Sequence, residues 1–279
     1  MIYAVSLDPL ARMGVPLPAL IADFAETGFG GISIDPRALL TSTVSTRRDI
    51  VAAVAESGLA VALHGSFDAP VEKLAELAHE LAPHLRSITF DPVLTWTSAG
   101  LLFSAGQMSH YLQELDRRTL DHQFRYGVED FPETPFCLQM YRDNLSPLLA
   151  SQRFGILIDI GHFNESVHRY GYYNGVSPEE HFAQLPVPLL EVHLSDNNGK
   201  EDQHLPLAMG IVDFRSVARG LRKLRFDGLS TIEIKPTGEH EDAIASAREQ
   251  IASSHAFWRQ VVDDASREGA PNKPDAGDA

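Results

Sequence analysis

Short apolar runs rich in β-branched residues recur along the chain, each closed by a polar or Gly/Pro cluster and followed by a stretch with helical spacing. Eight runs fit this description: IYAVSL (2–7), GISID (31–35), AVALHG (60–65), SITFD (87–91), FRYGVED (124–130), GILIDIG (155–161), LLEVHLSD (189–196) and STIEIKP (230–236). Between them lie amphipathic segments such as PALIADFAETG, TRRDIVAAVAESG, VEKLAELAHELAPHL and FRSVARGLRKL, and a long last one from Glu241 to Asp264. Gly28, Gly58 and Gly228 read as helix C-caps that lead into the next strand.

Strands that alternate with helices imply parallel βαβ units, and near-continuous apolar runs imply strands covered on both faces. Eight units in one chain predict an α/β fold of a single kind, a (β/α)8 TIM barrel over residues 1–265. An open doubly wound sheet is the alternative. It loses support because the first turn, SLDPLARMG, has no G-x-G-x-x-G loop and no GKS or GKT occurs anywhere. Residues 266–279 mix Pro, Gly and charge without apolar spacing and are expected to be a disordered tail.

Composition narrows the classes. Of 279 residues, 44% are apolar and 22% charged, enough apolar material for a large core. The 23 basic residues against 38 acidic ones leave a net charge of −15, which counts against a generally basic nucleic-acid-binding protein. The densest basic runs, RTLDHQFR and LRKLRF, fall on predicted outer helices. A single cysteine, Cys137, excludes an internal disulfide and a cysteine metal cluster. The N-terminus has no basic region ahead of a signal-type apolar stretch, and no apolar run approaches the 18 or so residues of a membrane span. A soluble cytoplasmic protein with no membrane partner is expected.

In a barrel the chemistry sits at the carboxyl ends of the strands. Here those ends carry Asp35, His64, Asp91, Glu129, Asp159 with His162, His193 and Glu233. Each has a bland reading: polar residues end strands, Asp35 and Asp91 precede prolines as turn formers, and Asp130 could cap a following helix. Convergence shifts the balance. Glu129, Asp159, His193 and Glu233 lie within otherwise apolar strands, where an unpaired carboxylate is costly, and sharing one cation would offset that cost. Mixed carboxylate and imidazole ligation suits a divalent metal ion such as Mn²⁺, Mg²⁺, Co²⁺, Fe²⁺ or Zn²⁺.

The loop HLSDNNGKEDQHLPLAMG adds Asp202 and His204, which with His162 could make a further metal triad or a clamp for substrate hydroxyls. His64 could be a buried structural histidine, though its strand-end position favours the pocket. His79, His84, His110, His122, His168 and His181 fall in helices or connections and read as surface groups. Trp96, Phe103, Phe163, Tyr170, Tyr172 and Tyr173 are candidates for the walls or lid of the site.

With GVED (127–130), DIGH (159–162), HLSD (193–196), DQH (202–204) and IEIKP (232–236) in this order, and HGSF (64–67) beside them, the chain resembles the xylose isomerase-like TIM barrel superfamily. That superfamily holds sugar isomerases, ketose 3-epimerases, inosose dehydratases and endonuclease IV-type enzymes. The resemblance covers about residues 1–265. It implies that Glu129, Asp159, His193 and Glu233 match an epimerase metal quartet, that Glu129 and Glu233 are also the proton-transferring pair, and that His162 orients a hydroxyl.

The expected function is therefore a divalent-metal-dependent sugar or polyol isomerase or 3-epimerase, working through an enediolate beside a carbonyl. Two departures keep a second class in view. Gly199, followed by Lys200, stands where many epimerases carry Arg, and the Asp202/His204 pair looks more like the endonuclease branch, a multi-metal phosphoesterase. That branch expects histidine where this chain has Asp91, and the chain has AMG (208–210) in place of its G-x-G. A non-catalytic metal-binding barrel is the third reading. The expected partner is a small-molecule sugar or polyol; nucleic acid is disfavoured by the acidic balance, and self-association as a homo-oligomer stays open.

Overall fold

Each of the eight apolar runs forms a strand, and all eight strands join one closed parallel barrel. The structure is a computed structural model that describes residues 1–97, 100–132, 148, 151–236 and 243–268. In chain order the first strands are β1 (Ile2–Ser6), β2 (Gly31–Ile34), β3 (Ala60–Gly65) and β4 (Leu85–Phe90). A small antiparallel hairpin of β5 (Leu94–Thr97) and β6 (Gly100–Phe103) follows, and then β7 (Arg125–Glu129), β8 (Phe154–Asp159), β9 (Leu189–Leu194) and β10 (Leu229–Ile232). The barrel order β1-β10-β9-β8-β7-β4-β3-β2 closes because β1 pairs with both β2 and β10.

Helices form the outer layer: α1 (Asp8–Arg12), α2 (Leu17–Glu26), α3 (Pro36–Leu40), α4 (Val44–Ser57), α5 (Val71–Leu81), α6 (Ala105–Arg118), α7 (Ile160–His168), α8 (Pro178–Ala183), α9 (Phe214–Lys223) and α10 (Ala243–Glu268). α9 shows why they pack as they do. Its buried Phe214, Val217, Ala218 and Leu221 recur at helical spacing, so one stripe meets the barrel while Arg222 and Lys223 stay outside. The main apolar core lies between strands and helices, and a smaller cluster of Ala4, Ala62 and Leu229 plugs the lower barrel interior.

Several boundaries differ from the sequence expectation. The run GILIDIG stops being a strand at Asp159, because that carboxylate accepts from His162 N at 3.0 Å and caps α7; Ile160 and Gly161 are its first turn. β9 and β10 likewise end at Leu194 and Ile232, so Asp196 and Glu233 lie beyond strand ends. The hairpin β5–β6 was not anticipated. Gly28 and Gly58 have φ of 85° and 68°, as helix-ending glycines should, but after α9 the left-handed residue is Arg225 (φ 52°). Gly228 serves a different need: a Cβ there would sit 2.1 Å from the Leu190 carbonyl oxygen. α10 runs on to Glu268, past the expected start of the tail, while residues 269–279 and Cys137 lie outside the described residues. No described helix is long and apolar enough to cross a membrane.

Candidate metal centre at the barrel mouth

Strand pairing brings the candidate residues together. β8 and β9 place Asp159 opposite His193, while β7 ends in Glu129 on one flank and Glu233 follows β10 on the other. Asp159, His193 and Glu233 each offer a ligand atom within 4.8 Å of the others, and so do Glu129, Asp159 and His162, and His64, Glu129 and His193. All four members of the expected quartet thus belong to overlapping clusters. Nδ1 of His193 lies 2.7 Å from Glu233 Oε2 and 3.8 Å from Glu129 Oε1.

The donor set fits a divalent cation. Oδ2 of Asp159 and Nδ1 of His193 are buried with no hydrogen-bond partner among the described residues; Nε2 of His193, which also lacks one, lies on the far edge of the ring, 3.5 Å from Glu191 Oε1. Buried polar atoms are normally satisfied, and a group of them aimed at one point is what a shared ion requires. One carboxylate oxygen remains free for this because Oδ1 of Asp159 is already engaged by His162 N. Mixed oxygen and nitrogen donors suit Mn²⁺, Co²⁺, Fe²⁺ or Zn²⁺.

A second cluster sits beside the first. His162, Asp202 and His204 offer ligand atoms within 4.8 Å of one another. His204 Nε2 is 3.0 Å from Asp202 Oδ1, and its Nδ1 lies 3.0 Å from the Glu233 backbone oxygen. His204 adopts a φ of 47°, uncommon for a residue with a side chain and here maintained by the loop's bridge from Asp196 to Leu205. His64 and Asp91 complete the rim: His64 Nδ1 meets Thr89 Oγ1 at 3.0 Å, while its Nε2 lies 3.3 Å from Asp91 Oδ1 and 3.4 Å from Glu129 Oε2. These groups line a cavity of about 300 Å³, joined by Asp8, Arg12, Arg37 and Lys235.

The electrostatics are those of crowded acids and imidazoles. Burial would depress His162, but Asp159, Glu129 and Asp130 reverse this and push it up to about 10. His204 is likewise disfavoured as a cation by burial, yet Asp202 and Asp159 raise it to about 9. Burial raises Glu129, with the nearby imidazoles opposing. Glu233 goes the other way: burial pushes it up, but His193 beside it holds it well below the ordinary carboxylate range. Asp91 is drawn down to about 2 by His64 despite its burial. A ligating imidazole must be neutral, so a cation entering here replaces protons.

Several residues take roles other than those expected. Asp35 is a local anchor: its carboxylate caps α3 through Arg37 N at 2.8 Å and pairs with the Arg37 guanidinium at 2.6 Å. Asp130 accepts from Asp159 N at 2.8 Å and its backbone oxygen faces His162 Nδ1 at 3.0 Å, so it braces two candidate ligands; burial raises its pKa to about 8. Asp196 is buried and accepts from Gly210 N and Val212 N, tying down the DQH loop. His181 is no surface group: it is buried in α8 with Phe163 4.6 Å and Tyr173 4.9 Å from its ring. Among the described residues the aromatic lining the mouth is Phe131, 5.0 Å from the His162 ring, whereas Tyr170 and Tyr172 stack on each other outside it. Trp96 and Phe103 fall in the hairpin, and their side chains lie outside the described set.

Glu191 escaped the sequence reading. It is fully buried inside the barrel, two residues before His193, with hydroxyls of Ser87 and Thr231 donating to it at 3.0 and 2.6 Å. Burial opposes its charge, but His193 and Thr231 outweigh that and lower its pKa. The signal was present as an acid in the run LLEVHL, on the same strand face as the histidine.

Comparison with known proteins agrees with this architecture. Residues 130–260 match the family model of the xylose isomerase-like TIM barrel. Over 127 residues, 44% of this chain, the sequence is 28% identical to an uncharacterized protein of Methanocaldococcus jannaschii, and the match spans only 41% of that relative's length. Among solved structures, D-psicose 3-epimerase of Clostridium cellulolyticum H10, determined with D-tagatose, superimposes with a TM-score of 0.71 at 11% identity, covering 94% of this chain and 99% of its own. The IolI protein, whose structure holds a zinc atom, superimposes with a TM-score of 0.63 at 14% identity, covering 92% and 99%. Residues 130–260 thus resemble the xylose isomerase-like TIM barrel family, and the chain as a whole shares the closed eight-stranded parallel barrel fold.

Proposed function

We propose that this protein is a divalent-metal-dependent epimerase or isomerase of a sugar or polyol, with Glu129, Asp159, His193 and Glu233 as metal ligands and Glu129 and Glu233 as the proton-handling pair. The observation that carries the reading is that Glu129 and Glu233 approach one nitrogen, Nδ1 of His193, from opposite flanks of the β8–β9 pair. A bound divalent cation would hold a substrate carbonyl with its neighbouring hydroxyl and stabilise negative charge developing between them. One glutamate then takes the carbon-bound proton from one face, and the other returns a proton to the opposite face. Their surroundings differ: burial raises the pKa of Glu129, whereas His193 holds that of Glu233 below the ordinary carboxylate range. His64, His162 and His204 stand around the cavity where they can orient substrate hydroxyls. The epimerases with the same fold, including the D-psicose enzyme, support a small sugar as the substrate.

A multi-metal phosphoesterase is the second reading, favoured by the separate cluster of His162, Asp202 and His204. One experiment separates them. The metal-loaded protein is incubated in deuterium oxide with a panel of ketoses, polyols and their phosphates, and in parallel with an abasic-site oligonucleotide. Deuterium entering a substrate carbon, read by NMR, supports the epimerase. Cleavage of the oligonucleotide with no exchange replaces it with the phosphoesterase, and neither result with bound metal leaves a non-catalytic metal-binding barrel.

A further inference from the structure

Beneath the mouth the barrel interior changes from apolar to polar. Thr231 lies two residues along β10 from the Leu229 plug, on the same face, and Ser87 projects from β4. Between them stands the carboxylate of Glu191, with 0% exposure. Thr231 Oγ1 donates to Oε1 at 2.6 Å and Ser87 Oγ donates to Oε2 at 3.0 Å, so each oxygen is held by a hydroxyl from a different strand.

A core position in a barrel is ordinarily filled by an apolar side chain, and a buried carboxylate is costly without a positive partner. Among the described residues the only ion pair of Glu191 is with His193, whose Nε2 lies 3.5 Å from Oε1. The period-two alternation of β9 puts both side chains on the inner face, the acid directly below the imidazole. The opposite edge of the ring, Nδ1, faces Glu233 and Glu129 at the mouth. The imidazole therefore spans two acidic layers, one closed inside the barrel and one open to ligand.

An imidazole that ligates through Nδ1 needs its proton on Nε2, and a carboxylate behind Nε2 selects that tautomer and strengthens the ligand. We infer that Glu191 is a positioning residue: held in place by Ser87 and Thr231, it fixes His193 with its Nδ1 lone pair aimed at the cation and thereby sets the affinity of the site for divalent metal. This rests on the reading of His193 as a metal ligand. Glu191 touches neither the mouth cavity nor substrate, so its effect appears in metal binding before it appears in turnover.

The test compares Glu191→Gln, which keeps shape and removes charge, with Ser87→Ala, which removes one hydroxyl contact and keeps charge. Co²⁺ is the probe, with affinity measured by chelator competition and ligand geometry by the visible absorption of the bound ion. Glu191→Gln should weaken Co²⁺ binding about 10- to 100-fold and alter the spectrum, and Ser87→Ala should do so less. In the Zn²⁺-loaded wild-type protein, long-range ¹H–¹⁵N spectra, assigned with His193→Asn, should place the His193 proton on Nε2. Should Glu191→Gln fail to fold, that tautomer decides alone. Wild-type Co²⁺ affinity in Glu191→Gln, or a His193 proton on Nδ1, overturns the assignment while leaving the metal reading intact. Absence of Co²⁺ and Zn²⁺ binding by the wild-type protein overturns both.

Discussion

Nδ1 of His193 and Oε2 of Glu233 stand 2.7 Å apart, yet their alignment is not that of a hydrogen bond. Two donors that approach each other without bonding, with Asp159 Oδ2 also buried and unpartnered, are arranged for a third body between them. The protein should therefore be stabilised by Mn²⁺, Co²⁺ or Zn²⁺. Binding only the folded state adds about 2.7 kcal/mol when free metal stands at 100 times its Kd. Chelation should lower Tm by several degrees, checked by calorimetry with metal analysis of the same sample; an unchanged melt after verified removal of metal would count against the site.

Replacing Glu233 with Gln should separate metal binding from proton transfer. The amide oxygen can still coordinate, but it cannot take a proton at the pH where the glutamate, held down by His193, is ionised. Turnover on the substrate found by deuterium exchange should drop by about 10² or more at saturating metal, with the fold retained. Undiminished turnover would remove Glu233 from the proton-handling pair.

His181 makes stability sensitive to acid. Burial lowers its pKa from 6.5 to about 4, so below pH 6.5 the unfolded chain binds a proton that the folded chain refuses. Its contribution is full above pH 6.5 and is lost as pH falls towards 4, amounting to about 3 kcal/mol for this shift. His181→Phe keeps an aromatic ring beside Phe163 and Tyr173, so it should flatten the urea-derived stability profile across that window. Identical pH profiles for the two proteins would sink this account.

Gly155 lies where β8 passes the start of β9. A Cβ there would be 2.3 Å from the Pro188 carbonyl oxygen and 2.5 Å from Leu190 Cδ2, and backbone cannot yield as a flexible side chain does. Gly155→Ala should cost about 1–3 kcal/mol or more, read as a shift in urea midpoint. An equivalent change at Gly106, whose Cβ would meet open space, should cost far less.

The barrel was legible in the sequence because its cause is local and repeated: eight apolar runs alternating with amphipathic helices admit few arrangements. That Glu129, Asp159, His193 and Glu233 gather at one end of the barrel was legible for a related reason, since acids and a histidine at the ends of apolar strands must be brought to that end. The sequence by itself could not separate groups that converge from groups that merely look alike. Asp35 and Asp159 both end strands and both cap helices, yet Asp35 is neutralised by Arg37 while Asp159 keeps an oxygen free for the mouth. His181 and His162 both sit in helices near polar loops, but burial without acids lowers one, whereas three neighbouring carboxylates raise the other. Glu191 depended most on the tertiary structure. Its partners Ser87 and Thr231 lie 104 and 40 residues away, and only closure of the sheet turns an acid in an apolar strand into a charge held beneath His193.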